Sequence, residues 1–146
     1  MARVFAQEDG NLSSRPITTS RTKSYTDIDL TFTNKGNGDI FKKTDAASVK
    51  QAVKNLLMTN ETEKPFNPGF GGGLNKFLFE LSEDTDNTEI EDAISYAIYN
   101  YEPRALVKGV QVSINEQFNK VDVLVQFQVI NNRENVNLNL ELTRLR

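Results

Sequence analysis

The sequence predicts a small α+β domain in which a C-terminal three-stranded antiparallel meander packs on two to three helices. Apolar residues recur at helical spacing in the middle of the chain, and they alternate with polar residues from about residue 110 onward. The 146 residues, 38% apolar and 25% charged, suffice for one domain of ordinary globular composition. We expect this domain over residues 25–146, after an extended arm over residues 1–24.

The arm is rich in Ser, Thr and Arg and contains few apolar residues. Such a segment cannot bury enough surface to offset the entropy that it loses on ordering. Its composition is compatible with a flexible terminus and with an arm that orders against a neighbouring chain.

A short strand is predicted at Ile28, Leu30 and Phe32, which alternate with polar residues, and turn-forming residues follow at 34–39. The next segment is predicted to be a helix capped by Thr44 or Asp45. Its predicted buried face consists of Ala46, Val49, Ala52, Val53, Leu56 and Leu57. Its predicted polar face consists of Ser48, Lys50, Gln51, Lys54 and Asn55.

Residues 64–73 form a loop rich in proline and glycine. Because this loop lacks the Gly-Lys-Ser/Thr ending of a phosphate-binding loop, we expect Phe66 and Phe70 to hold it against the core.

A short amphipathic helix is predicted next, with apolar residues Leu74, Phe77, Leu78 and Leu81. An acidic link follows, with carboxylates Glu83, Asp84 and Asp86. The link lacks EF-hand spacing, so its charge is expected to favour the start of the next helix.

The next helix is predicted to begin at Thr88, which forms a capping-box pattern with Glu91. Its predicted buried face consists of Ile90, Ala93, Ile94, Ala97, Ile98 and Tyr101. Pro103 ends the helix and favours an extended conformation at Glu102. Residues two apart in an extended segment project to one side, so Glu102 and Arg104 are expected to form a fixed pair of opposite charges.

Three strands are predicted after Arg104, joined by short turns at 115–120 and 131–135. Their alternating apolar residues are Val110, Val112 and Ile114, then Val121, Val123, Val125, Phe127 and Val129, then Val136, Leu138, Leu140 and Leu142. Few charged residues or prolines protect the last strand, which hints at strand addition by a partner.

Composition excludes several classes of function. The net charge of −3 argues against binding to nucleic acid, and no apolar run approaches the roughly 20 residues that span a bilayer. The N-terminus has no apolar stretch typical of a signal peptide.

The chain has no Cys and no His, so thiolate chemistry and the usual general base are absent. A glycosidase needs only two carboxylates, and Glu102, Glu116 and the acidic link offer candidates, but none lies in a catalytic motif. We therefore expect no catalytic residues, no cofactor and no metal site.

Several motifs occur together in one order. They are Lys64-Pro65-Phe66-Asn67-Pro68, Phe70-Gly71, Leu78-Phe79-Glu80, Tyr101-Glu102-Pro103-Arg104 and the three-stranded meander. This combination, over roughly residues 25–142, resembles the baseplate wedge family of contractile bacteriophage tails. Members of that family initiate the tail sheath, and the family also occurs in type VI secretion systems.

The resemblance implies a structural, non-enzymatic protein with a domain similar to the strand-exchanging part of a sheath subunit. It implies that Glu102, Pro103 and Arg104 dock on the wedge core, a bundle of larger baseplate subunits. It implies strand addition by the tail sheath protein at the last strand, which contains Val136, Leu138, Leu140 and Leu142. The implied location is the virion tail baseplate, after synthesis in the host cytoplasm, with neither nucleic acid nor membrane as a partner. The alternatives are a type VI secretion baseplate subunit and a tail-associated peptidoglycan glycosidase.

Overall fold

The computed structural model describes residues 24–79, 86–115 and 120–143. Helix α1 spans Asp45–Met58, α2 spans Leu74–Phe79 and α3 spans Asn87–Tyr101. The strands are β1 (Thr26–Ile28), β2 (Lys42–Thr44), β3 (Ala105–Asn115), β4 (Lys120–Val129) and β5 (Asn135–Thr143). Strands β1 and β2 pair with each other, and β3, β4 and β5 form an antiparallel sheet in that order. The predicted α+β class with a three-stranded meander is therefore confirmed.

The three-stranded sheet has one buried and one exposed face because its sequence alternates. Val125 of β4 lies opposite Val110 and Leu138, so apolar side chains from all three strands meet on one face. The buried residues of β4 and β5 are Val121, Val123, Val125, Phe127, Val129, Val136, Leu138, Leu140 and Leu142. The alternate positions, which face away from the helices, hold Asn, Gln and charged residues apart from Leu124 and Thr143.

The helices cover the apolar face of the sheet with the residues that their spacing predicted. In α3 the fully buried residues are Ile90, Ile94 and Ile98, and Ala97 is 5% exposed. In α1 the buried apolar residues are Val49, Val53, Leu56 and Leu57. Leu74 and Phe77 of α2 complete this core. None of the described helices is long and apolar enough to cross a membrane.

The predicted polar face of α1 is wrong at two positions. Ser48 is fully buried and Gln51 is 8% exposed, whereas Lys50 and Lys54 are exposed as predicted. The Gln51 side-chain amide donates to the Ile28 carbonyl (2.8 Å) and accepts from the Leu30 backbone N–H (3.3 Å). The segment that follows β1 therefore packs on this part of the helix, and Gln51 satisfies backbone groups that would otherwise be unpaired.

The first strand ends earlier than predicted, at Ile28, and leaves Leu30 and Phe32 outside any strand. The cause is Asp29, whose carboxylate accepts from the Thr31 N–H while its carbonyl accepts from the Phe32 N–H. These bonds form an Asx-type turn, which competes with strand pairing. The backbone hydrogen bond from Thr31, with an ion pair to Lys43, also lowers the pKa of Asp29.

Two predicted helix caps differ from those observed. Helix α3 is capped by Asp86, which accepts from the Thr88 N–H at 3.1 Å, and not by a Thr88–Glu91 capping box. Glu91 instead accepts from the Val112 N–H at 3.1 Å and so joins α3 to β3. Thr44 is the N-cap of α1, but its side chain makes no capping hydrogen bond.

The expected charge effect of the acidic link holds at Asp86, where hydrogen bonds from Thr88 lower the pKa of the carboxyl group. Glu83, Asp84 and Leu81 lie outside the described residues, as do Glu116 and nearly all of the arm. The domain boundaries therefore stay a prediction.

The sheet core should dominate stability. Phe127 is 1% exposed, so we expect Phe127→Ala to lower the free energy of unfolding by about 3–5 kcal/mol, because it leaves a cavity between sheet and helices. Gln126→Ala, on the exposed face of the same strand, should change it by less than about 0.5 kcal/mol. Urea denaturation of both variants tests this, and equal losses would contradict the assigned core.

Candidate functional site

The segment that joins α3 to β3 is a tight turn. The Glu102 N–H ends the helix by donating to the Ile98 carbonyl (2.8 Å), and the Ala105 N–H donates to the Glu102 carbonyl (3.1 Å). Pro103 occupies the second position of this turn, where its fixed φ is favourable. The extended conformation predicted for this segment is therefore wrong. We call residues 102–104 the corner.

Glu102 and Arg104 nevertheless meet, as predicted, within one chain. Arg104 donates from Nε to Glu102 Oε1 and from Nη2 to Oε2, both at 2.6 Å. The Glu102 side chain is 7% exposed and that of Arg104 is 31% exposed. The hydrogen bonds from Arg104 to Glu102 raise the pKa of Arg104 above its usual value. This pair is bidentate and charge-assisted, the geometry in which such contacts are strong.

The corner also holds elements that are distant in sequence. The Arg104 guanidinium carbon lies 5.4 Å from the centre of the Tyr25 ring, and the Arg104 carbonyl accepts from the Ile130 N–H at 3.0 Å. Tyr25 exchanges backbone bonds with Asp45, its N–H donating to the Asp45 carboxylate and its carbonyl accepting from the Asp45 N–H. The pair therefore lies where α3, the start of α1 and the β4–β5 turn converge.

Exposed apolar side chains lie beside the corner in sequence and in register. Pro103 is exposed, Leu106 is 49% exposed and Ile130 is 56% exposed. Leu106 lies in β3 two residues after Arg104 and pairs with Gln128, and the Ile130 N–H bonds directly to the Arg104 carbonyl. We call Pro103, Leu106 and Ile130 the apolar rim.

The proline-glycine loop is fixed by its own hydrogen bonds. The Asn67 N–H donates to the Lys64 carbonyl (3.3 Å), and the Phe70 N–H donates to the Asn67 carbonyl (3.1 Å). These bonds define two consecutive turns, each with proline at its second position. A bond from the Thr62 N–H to the Pro68 carbonyl (2.7 Å) closes the base of the loop.

The two phenylalanines of the loop were both expected to contact the core, and only one of them does. Phe70 packs against the core and stacks edge-on to Tyr101, with ring centres 5.1 Å apart, as predicted. Phe66 is fully exposed, so its predicted contact with the core is wrong. It occupies the third position of the first turn with φ of 66°, a conformation that costs an L-residue on the order of 1 kcal/mol and usually selects Gly or Asn.

Close backbone packing fixes the other end of the loop. The Tyr101 hydroxyl donates to the Gly69 carbonyl at 2.5 Å, and the Gly72 N–H donates to the Leu56 carbonyl at 3.0 Å. Gly71 has φ of 140°, and a Cβ there would lie 2.6 Å from the Thr59 carbonyl oxygen. Only glycine fits at this contact.

The apolar side chains of the last strand are not available to a partner. Val136, Leu138, Leu140 and Leu142 all point into the core. Only the backbone of β5 is available at the outer edge of the strand, and no described strand pairs with that edge.

The described carboxylates that might serve a reaction already have other partners. Glu102 is held by Arg104, Glu91 by the Val112 N–H and Asp86 by Thr88. Among the described residues, no cluster of carboxylates could hold a metal ion.

The ion pair should contribute more than an exposed pair does. Arg104→Ala would leave a nearly buried carboxylate without its counter-ion, and we expect the free energy of unfolding to fall by about 1–3 kcal/mol. An exposed pair contributes only about 0–1 kcal/mol. Urea denaturation measures the loss, with exposed Lys54→Ala as the control. A loss no larger than that of the control would contradict a stabilising pair.

Comparison with known proteins identifies relatives of the chain. The sequence profile of the family described as baseplate wedge protein gp25 matches residues 43–134. The baseplate wedge protein gp25 of Enterobacteria phage T4 is 28% identical over 116 residues, which cover 78% of this chain and 86% of that protein.

Two solved structures share the fold. One is a chain of the anti-feeding prophage baseplate determined by cryo-electron microscopy, with a TM-score of 0.66 and 22% identity over 78% of this chain and 92% of that chain. The other is a crystal structure of a candidate tail lysozyme from Geobacter sulfurreducens, with a TM-score of 0.58 and 21% identity over 67% of this chain and 89% of that chain. The family profile spans more than half of the sequence, and the resemblance inferred from the motifs is confirmed: the chain belongs to the baseplate wedge protein gp25 family.

Proposed function

We propose that the chain is a structural, non-enzymatic subunit of a contractile phage tail baseplate, located in the virion. In this proposal the corner docks on larger subunits of the wedge core, and the C-terminal sheet accepts strands from the first ring of the tail sheath. The observation that carries the proposal is family membership combined with a rigid, partly exposed ion pair at the end of α3.

The corner suits docking because its charges are neutralised and oriented before a partner arrives. Both Glu102 oxygens are already occupied, so the partner would contact the exposed part of Arg104 and not the carboxylate. A guanidinium held in this way retains N–H donors for a partner carbonyl or carboxylate. Little side-chain entropy would be lost on binding, since the pair is already ordered.

The apolar rim would supply the remainder of this interface. Pro103, Leu106 and Ile130 lie next to the polar group in sequence and register, and their exposed apolar surface gains from leaving water. An arginine surrounded by apolar residues is the arrangement in which interface hot spots occur.

The docking proposal predicts that Arg104→Ala loses binding to the purified wedge core subunits encoded with this chain. Leu106→Glu should also weaken binding without disturbing the ion pair, because Leu106 is half exposed. Biolayer interferometry measures binding, and circular dichroism verifies that each variant is folded, with Lys54→Ala as the matched control. Wild-type affinity in both folded variants would contradict docking through the corner.

Strand addition is proposed at β5 because the two edges of the sheet differ. Strand β3 has a bulge between Val107 and Gly109, and the exposed Lys108 lies in it. Bulges and lysines at an edge oppose pairing with another strand. Strand β5 pairs with β4 over nine consecutive residues without a register shift, so its backbone is regular. An added strand would bond to the backbone of the residues from Val136 to Leu142.

A groove of about 420 Å³ next to α1 is lined by Leu30, Lys43, Lys50, Lys54 and Leu138, among others. Because Leu138 is buried, a partner at this groove would meet Leu30 and the lysines. Acidic side chains that accompany an added strand would fit this lining.

Filling the edge should block sheath initiation without removing the core residues of β5. We expect a C-terminal extension that contributes one further paired strand to abolish growth of purified sheath protein from assembled baseplates. The same extension with prolines at alternate positions cannot pair and should leave growth intact. Negative-stain electron microscopy counts the sheathed particles. Equal sheath growth with both extensions would contradict strand addition at β5.

Because the Geobacter protein is described as a tail lysozyme, a peptidoglycan glycosidase is the second candidate function. That chemistry needs two carboxylates that reach the sugar. Glu102 is buried and bonded to Arg104 through both oxygens, which makes it unsuited to contact a polysaccharide. A type VI secretion baseplate subunit would use the same docking and strand-addition chemistry.

A further inference from the structure

The exposed Phe66 is the feature of the described chain that the corner and the sheet leave unexplained. Its side chain has no shelter from solvent, although phenylalanine is ordinarily buried. The main chain at Phe66 has φ of 66°, in the third position of a turn that ordinarily holds Gly or Asn. The sequence thus places a large apolar residue where local conformation and hydration both oppose it.

The loop that carries Phe66 is built to hold it in one position. Pro65 and Pro68 restrict the backbone on both sides, and the bond from the Thr62 N–H to the Pro68 carbonyl closes the loop. The Lys64 ammonium lies 3.9 Å from the centre of the Phe70 ring, which fixes the residue two positions before Phe66. A loop backbone held in this way loses little entropy on binding.

The loop is joined to the corner through one residue. Tyr101 donates to the Gly69 carbonyl and stacks on Phe70, and it directly precedes Glu102. The loop and the corner are therefore both fixed to the same end of α3.

We propose that Phe66 is a second anchor of the docking surface and inserts its ring into an apolar pocket on the baseplate subunit that binds the corner. This inference rests on the proposed docking function and adds the chemistry of its partner, a pocket that accepts one phenyl ring. Burial of the ring on binding would offset the unfavourable conformation that the free chain tolerates. An aromatic residue in a desolvated pocket is a common interface hot spot.

Phe66→Asn is the decisive variant, because Asn adopts positive φ readily and has no ring. We expect its dissociation constant for the purified wedge core subunits to rise about thirtyfold or more, the loss that marks a hot spot. The midpoint of thermal unfolding should stay equal or rise, since the strained residue is replaced. Phe66→Tyr keeps the ring and should retain most of the affinity.

Phe32→Asn is the matched control, since Phe32 is also exposed (64%) and also has positive φ, of 52°, but lies in a different turn. It should bind like the wild type. Equal loss in this control would overturn the proposal, because exposed apolar surface in general would then drive binding. A lower unfolding midpoint in Phe66→Asn would also overturn it, because the ring would then support the fold.

Comparison with Arg104→Ala separates this inference from the proposed function. If Arg104→Ala loses binding and Phe66→Asn does not, the inference fails and docking through the corner stands. If only Phe66→Asn loses binding, the anchor stands and docking through the corner fails. Sedimentation analysis of the chain alone provides a further test. If the chain self-associates and Phe66→Asn abolishes this self-association, the ring binds a second copy of the chain and the proposal is overturned.

Discussion

The carboxylate of Glu102, nearly buried at the end of α3, is the constraint on which the arrangement of this domain depends. A buried charge without a partner is strongly unfavourable, so Arg104 must return over the turn to neutralise it. In doing so Arg104 lies against Tyr25 and accepts a backbone bond from Ile130. A single electrostatic requirement thereby fixes the direction in which the chain enters β3 and the position of the first strand against the helices.

The same end of α3 determines what the molecule presents to its surroundings. Tyr101 holds the proline-glycine loop through its hydroxyl and its ring, and the next three residues form the corner. Two surface features that lie far apart in sequence are thus positioned by four consecutive residues. Their mutual geometry depends on the rigidity of one helix end. The loop also touches the end of α1, where Gly71 is needed because a Cβ would collide with the Thr59 carbonyl oxygen.

The helices and strands that pack on a continuous apolar face could be predicted from the sequence. Burial of one face repeats the apolar residues about every 3.6 positions in a helix and every 2 positions in a strand. This covers α1, α3 and the meander, and the opposite charges of the corner could be paired from their spacing. Features set by individual hydrogen bonds were not predictable. Gln51 is buried because it bonds to the distant backbone after β1, and Asp29 ends that strand through a local turn. Phe66 is exposed despite its hydrophobicity, and no periodicity signals such a position. The only sequence signal was its location after proline in a turn.

The bulge at Lys108 makes the two edges of the sheet unequal. A sheet with two regular edges can add strands on both sides, and copies of such a chain can join into endless ribbons. Here one edge is interrupted and bears a charge, whereas the other is regular. Under the proposed strand addition each copy would offer a single acceptor side, as a subunit that starts a polymer without joining it requires.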